Sequence, residues 1–446
     1  MKTALRTLVL IGVVLAIVSI ASPPLLGFSI WRVSALLPVA TGLAAKLGCS
    51  SHFLSGFTPD RIIGDLVSYS PVSELVNLTF DDSRATATLF WQARTTATFR
   101  PGLGCTLDIG DTTALNDLVV TPVERDGTIE IAIDPKVQQA LDQILASDEV
   151  DKLQTRALIV LHHGRLIAES YGPGITTDTP LHGWSMGKSV TSMLVGRLHT
   201  LGKLSLGDTP LFSERAGDQR ANVRLEHLLQ MSSGLRFDET YAPGSDSIRM
   251  LFLDHSSVTT PLSMPIEHEP GTHFSYSSGT TNLIMQHLRH TLGDSQALLD
   301  FWNDELRRPL GLANTTFEPD PEGLPVGSSY IYASGRDWAR LGQLMLQAGQ
   351  WNESTLIDAA WIDAATTPNK STNERAYGYQ FWLNRGDDPL RWPNIPEDAY
   401  AMQGNRAQIV MIVPSRSAVL VRLGWTAGQY DFDTRFSSLL ARIVDE

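Results

Sequence analysis

The period of hydrophobic and polar positions changes several times along the chain. From Leu8 to Ala21 the residues are almost continuously apolar, and no charge follows Arg6 until Arg32. The stretch "ATATLFWQARTTATF" alternates and is rich in threonine and aromatics, which predicts β-strands, and "RPGLG" after it reads as a turn. A helix is expected from Asp134, a cap followed by Pro135 at the first helical position, because "KVQQALDQILAS" carries apolar residues at helical spacing. "ALIVLHHGRLIAESY" then reads as two strands joined by a tight "HHGR" turn. A polar loop leads into a second helix, "SVTSMLVGRLHTLG", which ends at a glycine. Residues from about 205 to 375 read as mostly helical with many loops. "YGYQFWL", "QIVMIVP" and "SAVLVRLGW" restore the strand pattern, and "FSSLLARIV" closes the chain as an amphipathic helix.

Strands near residue 160 and near residue 410 are expected to pair into one mostly antiparallel sheet, covered by helices and joined by a helical lobe. The fold class is therefore α+β. Three regions are expected: a signal peptide or membrane anchor at 1–31, a small β-containing N-terminal domain at 32–130, and a catalytic domain at 131–446.

Composition narrows the partners. The formal net charge of −13 lacks the basic character that a nucleic-acid partner requires, so none is expected. Lys2 and Arg6 ahead of the apolar run predict export, with the remainder of the chain periplasmic or anchored facing outward. A cleaved signal and an uncleaved anchor both fit, so membrane contact is expected only through this segment. In an exported chain the only two cysteines, Cys49 and Cys105, are expected to form a disulfide.

Candidate chemistry centres on "LHGWSMGKSV". Gly183 to Gly187 fit the G-x-S-x-G nucleophile elbow, and Ser185 to Lys188 fit S-x-x-K. Both make Ser185 a nucleophile. The elbow needs a buried strand directly before it and a histidine base after an acid. The preceding "TTDTPLHG" is loop chemistry, and no histidine follows His290. The Ser-Lys reading needs only local geometry. Residues three apart share a helix face, and a helix N-terminus favours an oxyanion while disfavouring a charged lysine. A third reading makes Ser185 a plain helix cap. A second proton-handling group is offered by Tyr276, in a loop before an apolar helix, with Ser278 projecting on the same side. Tyr332, in "YAS", has the same pattern.

The blocks "WSMGKSVTSMLVGRL", "LLQMSSGL", "PGTHFSYSSGTTNLI" and "YIYASGRDWARLGQLM" occur in the order seen in the class C β-lactamase-related family of serine hydrolases. The chain most resembles that family's 6-aminohexanoate-oligomer hydrolase and esterase branch, over roughly residues 134 to 446. The resemblance implies a β-lactamase/transpeptidase-like fold. It also implies Ser185 as acylated nucleophile, Lys188 as base and Tyr276 as proton relay, and it favours Tyr276 over Tyr332. The family's third motif corresponds to "AMQGNRAQIVMIVP". Gly404 then matches the motif glycine, and the backbone amides of Ser185 and Asn405 form the oxyanion hole. A second register would place Ala407 at the glycine and Gln408 as donor.

Two departures bear on substrate. Tyr276-Ser277-Ser278 stands where typical β-lactamases of the family have Tyr-x-Asn, and Met402 or Asn405 stands where they have a cation. The expected function is hydrolysis of small esters or short linear amides through an acyl-enzyme, with no metal or cofactor. The alternatives are a β-lactamase or D,D-peptidase acting on penicillin or peptidoglycan, and a non-catalytic cell-envelope binding protein. Oligomeric state is open.

Overall fold

The computed structural model describes Ser19 and residues 33–90, 92–124, 129–212 and 217–444. The expected leader or anchor at 1–31 lies, Ser19 aside, outside the described residues. Among these no helix is long and apolar enough to cross a membrane.

The N-terminal region opens with helix α1 (Val33–Phe53) and helix α2 (Pro59–Tyr69). Thr58 caps α2 by accepting from the Arg61 amide, with Pro59 at the first helical position. Strands β1 (Asn77–Phe80), β2 (Arg84–Leu89), β3 (Ala93–Arg100) and β4 (Gly104–Leu107) then form an antiparallel meander in sequence order. The alternation of "RATATL" sets its face: Ala85, Ala87 and Leu89 are buried, while the threonines lie on the other side. Helix α1 packs across β2, β3 and β4. Cys49 on α1 and Cys105 on β4 are joined by a disulfide, with Cα atoms 5.9 Å apart. Closing that loop restricts the unfolded chain and stabilises the fold by about 4 kcal/mol in the chain-entropy model.

The larger region begins with α3 (Pro135–Val150), capped by Asp134, whose carboxylate accepts from the Lys136 and Val137 amides. Strands β5 (Thr155–His162) and β6 (Arg165–Tyr171) follow as the expected hairpin. Its turn residues His163 and Gly164 both have positive φ, the backbone that a two-residue hairpin turn requires. The chain continues through β7 (Leu181–His182), α4 (Met186–Thr200), α5 (Asp246–Phe252), α6 (Ser278–Leu292), β8 (Thr315–Phe317), β9 (Ile331–Ala333) and α7 (Gly335–Leu346). It ends with β10 (Trp382–Leu383), β11 (Tyr400–Gly404), β12 (Gln408–Val413), β13 (Ala418–Gly424) and α8 (Phe432–Leu440). The main sheet has the order β10-β11-β12-β13-β5-β6, and its pairs are antiparallel. Helix α7 covers one face; α3 and α8 cover the other. A small sheet, β7-β9-β8, sits beside the start of α4.

One strand is shorter than expected. "YGYQFWL" reads as a single run, but only Trp382 and Leu383 are strand. Gln380 has φ of 64° and is held by the helical lobe. Its amide nitrogen donates to the carbonyls of Leu228 and Leu229, and its Oε1 accepts from Thr281. These bonds compete with the sheet for the backbone there.

The hydrophobic core is continuous from α1 into the larger region. A Cβ on Gly42 would lie 2.5 Å from the Phe252 carbonyl oxygen, so α1 meets α5 at backbone distance. Nearby, the fully buried Lys46 pairs with the buried Glu318 carboxylate. Glu318 also accepts from Ser50 Oγ (2.8 Å) and from the Cys105 amide (2.7 Å), and Lys46 Nζ lies 4.0 Å from the centre of the Tyr330 ring. Breaking one half of such a pair strands the other charge in a dry interior. Glu318→Ala is expected to lower unfolding free energy by about 3–5 kcal/mol in urea melts, and the double variant Lys46→Met/Glu318→Leu by clearly less.

Candidate active site

Ser185 is presented by a short, tightly held turn. The Gly183 amide donates to the Ile331 carbonyl (2.9 Å), and a Cβ on Gly183 would overlap the Trp338 ring at 2.1 Å. Trp184 follows with φ of 49°, a left-handed backbone that costs a bulky residue roughly 1–3 kcal/mol. Packing holds it there. Its indole stacks on Tyr69 of α2 (5.5 Å, 5°) and on His182 (4.2 Å, 28°). Ser185 stands at the N-cap position of α4, yet its hydroxyl makes no capping bond to the helix. The plain-cap reading therefore fails, and the hydroxyl is left for Lys188.

Lys188 lies one turn along α4, with its side chain almost wholly buried. Nζ is 3.0 Å from Ser185 Oγ, 2.9 Å from Ser278 Oγ and 3.1 Å from the Ser328 carbonyl oxygen. Ser278 opens α6 and donates its own proton to Glu239 Oε1 (2.6 Å), while its amide donates to Glu239 Oε2 (2.6 Å). This sorts the partners. A carbonyl only accepts, and Ser278 has committed its proton to Glu239, so both take N–H bonds from Lys188. Of the three neighbours, Ser185 alone has a proton free to give to a neutral Lys188. Burial pulls the Lys188 pKa down to about 8, against a smaller opposing pull from the Glu239 charge. Glu239 keeps some surface in the cleft, but the protein around it raises its pKa despite Lys188 and the two Ser278 bonds.

Two phenols reach the same hydroxyl. The Ser185 side chain tempers the pKa of both Tyr276 and Tyr241, while loss of water around each phenol raises it well above its ordinary value. The Tyr276 ring lies with its centre 4.9 Å from Lys188 Nζ and is propped by Trp382 (5.3 Å, 27°) and Tyr377 (6.1 Å, 88°). Tyr332 is elsewhere. It stacks on His182 (4.5 Å, 7°) and is fully buried there.

Gly404 ends β11 beside Ser185. A Cβ there would lie 2.1 Å from the Gly183 carbonyl oxygen, so only glycine permits this approach. The turn Asn405–Ala407 is thereby held next to the Ser185 loop. The Asn405 side-chain amide donates to the Tyr69 hydroxyl (3.4 Å). In the other register Gln408 is committed: it faces Gly404 across the ladder, and its side chain bonds the Gly424 backbone twice. Neither Met402 nor Asn405 supplies a cation at this motif, and the nearby Arg406 is engaged elsewhere. Met402 is fully buried, and Arg406 donates to the Ser68 carbonyl (2.8 Å) with its guanidinium over the Tyr69 ring. Among the described residues no His, Cys, Asp or Glu cluster could hold a metal ion.

The β-lactamase family model matches residues 141–435. The chain belongs to the β-lactamase family of serine hydrolases. Its fold is shared by solved structures at low identity. A putative 6-aminohexanoate-dimer hydrolase from Bacillus anthracis aligns with a TM-score of 0.60 at 17% identity, over 74% of this chain and 91% of that one. A family VIII carboxylesterase gives 0.57 at 14%, over 70% and 98%. A penicillin-binding protein homologue from Caulobacter crescentus gives 0.55 at 18%, over 69% and 97%. No curated protein sequence matches the chain.

For a β-lactamase-family chain, the structure adds site residues that the sequence reading missed. Glu239 and Tyr241 lie in "FDETY", one residue after "SSGL", where an acid and a phenol two apart can both turn into one cleft. Tyr69 comes from the N-terminal region, outside the matched residues, and no local pattern marks it. Glu239 supplies a test. Its charge raises the Lys188 pKa, so removing that charge should lower it further. Glu239→Gln is expected to shift the rate-against-pH curve for fluorophosphonate labelling of Ser185 to lower pH than wild type, whose midpoint should lie near 8. An unmoved midpoint would detach Glu239 from the lysine.

Proposed function

We propose that the protein hydrolyses small esters or short linear amides through an acyl-enzyme on Ser185. The observation that carries this is the buried Lys188 amine, 3.0 Å from Ser185 Oγ, whose other two partners can only accept from it. Lys188 takes the Ser185 proton as Oγ attacks the substrate carbonyl. The oxyanion rests between the backbone amides of Ser185 and Asn405, at the positive end of α4. Tyr276 gives its own phenolic proton to the leaving alcohol or amine as the carbonyl–heteroatom bond breaks, and the proton that Lys188 took from Ser185 restores the phenol. Water then attacks the acyl ester by the same route reversed, releasing the acid and restoring Ser185.

Substrate class rests on what surrounds the serine. The phenols of Tyr241 and Tyr276 offer donors to a leaving oxygen or nitrogen, and the solved neighbours include a carboxylesterase and a 6-aminohexanoate-dimer hydrolase. The buried Met402, and an Arg406 tied to the Ser68 carbonyl and lying over the Tyr69 ring, leave a β-lactam carboxylate without the family's usual cation at that strand. The disulfide and the basic, then apolar, N-terminus favour an exported protein.

Hydrolysis of p-nitrophenyl esters, linear amides and nitrocefin should show the esters and amides turned over and nitrocefin spared. Ser185→Ala should abolish turnover and probe labelling, and Lys188→Ala should lower kcat/KM by about 100-fold or more. Labelling that persists in Ser185→Ala would refute the nucleophile. Full activity in Lys188→Ala would refute the base.

A further inference from the structure

The N-terminal region does more than pack against the rest of the chain, because it lines a cavity together with residues that neighbour the Ser185 turn. A cavity of about 90 Å³ lies between α1, the chain just after α2, and the segment that carries Tyr241. Its lining is mostly aliphatic: Leu36, Val39, Ala40 and Leu43 from α1, Val72 from the chain after α2, and Ile248 from α5. Two further lining residues tie it to the reacting centre. Tyr69 stacks on Trp184, the residue immediately before Ser185, and the Tyr241 phenol feels the Ser185 side chain. Tyr241 keeps 37% of its surface exposed, so the wall it forms faces open cleft rather than sealed core.

A second feature marks the space as one for a guest. Ser73 also lines it, is 4% exposed, and its hydroxyl has no hydrogen-bond partner among the described residues. Buried hydroxyls are normally paired, so Ser73 calls for a polar partner such as a water that enters beside an apolar chain. The cavity's volume is below the roughly 150 Å³ of an apolar cavity known to hold benzene, which limits the guest to a short chain.

We infer that this cavity is the specificity pocket of the hydrolase and receives a short apolar chain of the substrate, about three to five carbons long by the comparison with benzene. Most of the pocket comes from residues 36–73, outside the matched family region, so its selectivity belongs to this chain. The inference rests on Ser185 being the acylated nucleophile. It adds that α1 and the chain after α2 choose which ester reaches it.

The test is a chain-length profile. Full-length wild type is compared with Leu36→Trp, which fills the cavity from its half-buried edge, and with Val72→Ala, which enlarges it. One series of p-nitrophenyl esters runs from acetate to octanoate, and a second varies the alcohol of an acetate ester. In the series whose chain enters the pocket, wild type should peak at butyrate to hexanoate or at the matching alcohol length. Leu36→Trp should lower the butyrate-to-acetate ratio of kcat/KM, or its alcohol counterpart, at least tenfold, and Val72→Ala should move the peak to longer chains. Opposite shifts in the two variants support the pocket, because a general loss of fold would lower all chain lengths together. Unchanged profiles in both series, with Ser185 still labelled by a fluorophosphonate, would overturn the pocket while leaving the catalytic reading intact. Absence of labelling and of turnover for every ester in wild type would instead overturn the catalytic reading.

Discussion

The desolvated amine of Lys188 is the constraint on which the site depends. A lysine left in water holds its proton far above neutrality and cannot act as a base. Taking it out of water lowers its pKa to about 8, but also removes the water that would have satisfied its hydrogen bonds. The protein replaces that water with three oxygens, from Ser185, Ser278 and Ser328. The replacement is directional. Ser328 offers a carbonyl, and Glu239 holds the Ser278 proton, so Ser185 is the partner left to donate. Glu239 acts in two opposed ways: its hydrogen bonds orient the network, and its charge restores part of the lysine pKa that burial removes.

This network needs the nucleophile held still, and the surrounding fold is organised to do so. The left-handed Trp184 places Ser185 at the start of α4 with its hydroxyl turned away from the helix. Such a backbone persists only where packing over-determines it. Here Tyr69, His182 and Trp425 enclose the indole. Gly404, which lets its backbone meet the Gly183 carbonyl, brings β11 against the same turn. The G-x-S-x-G pattern is thus explained without an elbow. Gly183 makes room for Trp338 and Gly187 for the Gly327 carbonyl, and β7 before them is two residues long rather than a buried parallel strand.

Much of this was legible in the sequence, for reasons that differ by residue. The β5–β6 hairpin, the Asp134 cap and the paired strands near the C-terminus follow from local pattern. So does the Ser185–Lys188 pair, since three residues on a helix fix their own distance. Tyr276 and Gly404 were reachable through spaced motifs. Glu239, Tyr241 and Tyr69 were not, because what brings each to Ser185 is a loop path or a domain contact that leaves no period behind. The broken "YGYQFWL" strand failed for the same reason: Gln380 is held by carbonyls of Leu228 and Leu229, about 150 positions away.

The N-terminal region links these observations. The disulfide holds the N-terminal region together by fixing α1 to β4, and the buried Lys46–Glu318 pair ties α1 to the rest of the chain, so an ionic restraint and packing set the position of this region relative to Ser185. That rigidity is what a specificity wall requires, since a pocket side that drifted by a methylene's width would lose its selectivity. The same helix that carries Cys49 and Lys46 also carries Leu36, Val39, Ala40 and Leu43 into the cavity. Stability and selectivity are therefore coupled through α1. A substitution that loosens the Glu318 pair should blur chain-length preference even though Glu318 makes no hydrogen bond to Ser185, Lys188 or Tyr276.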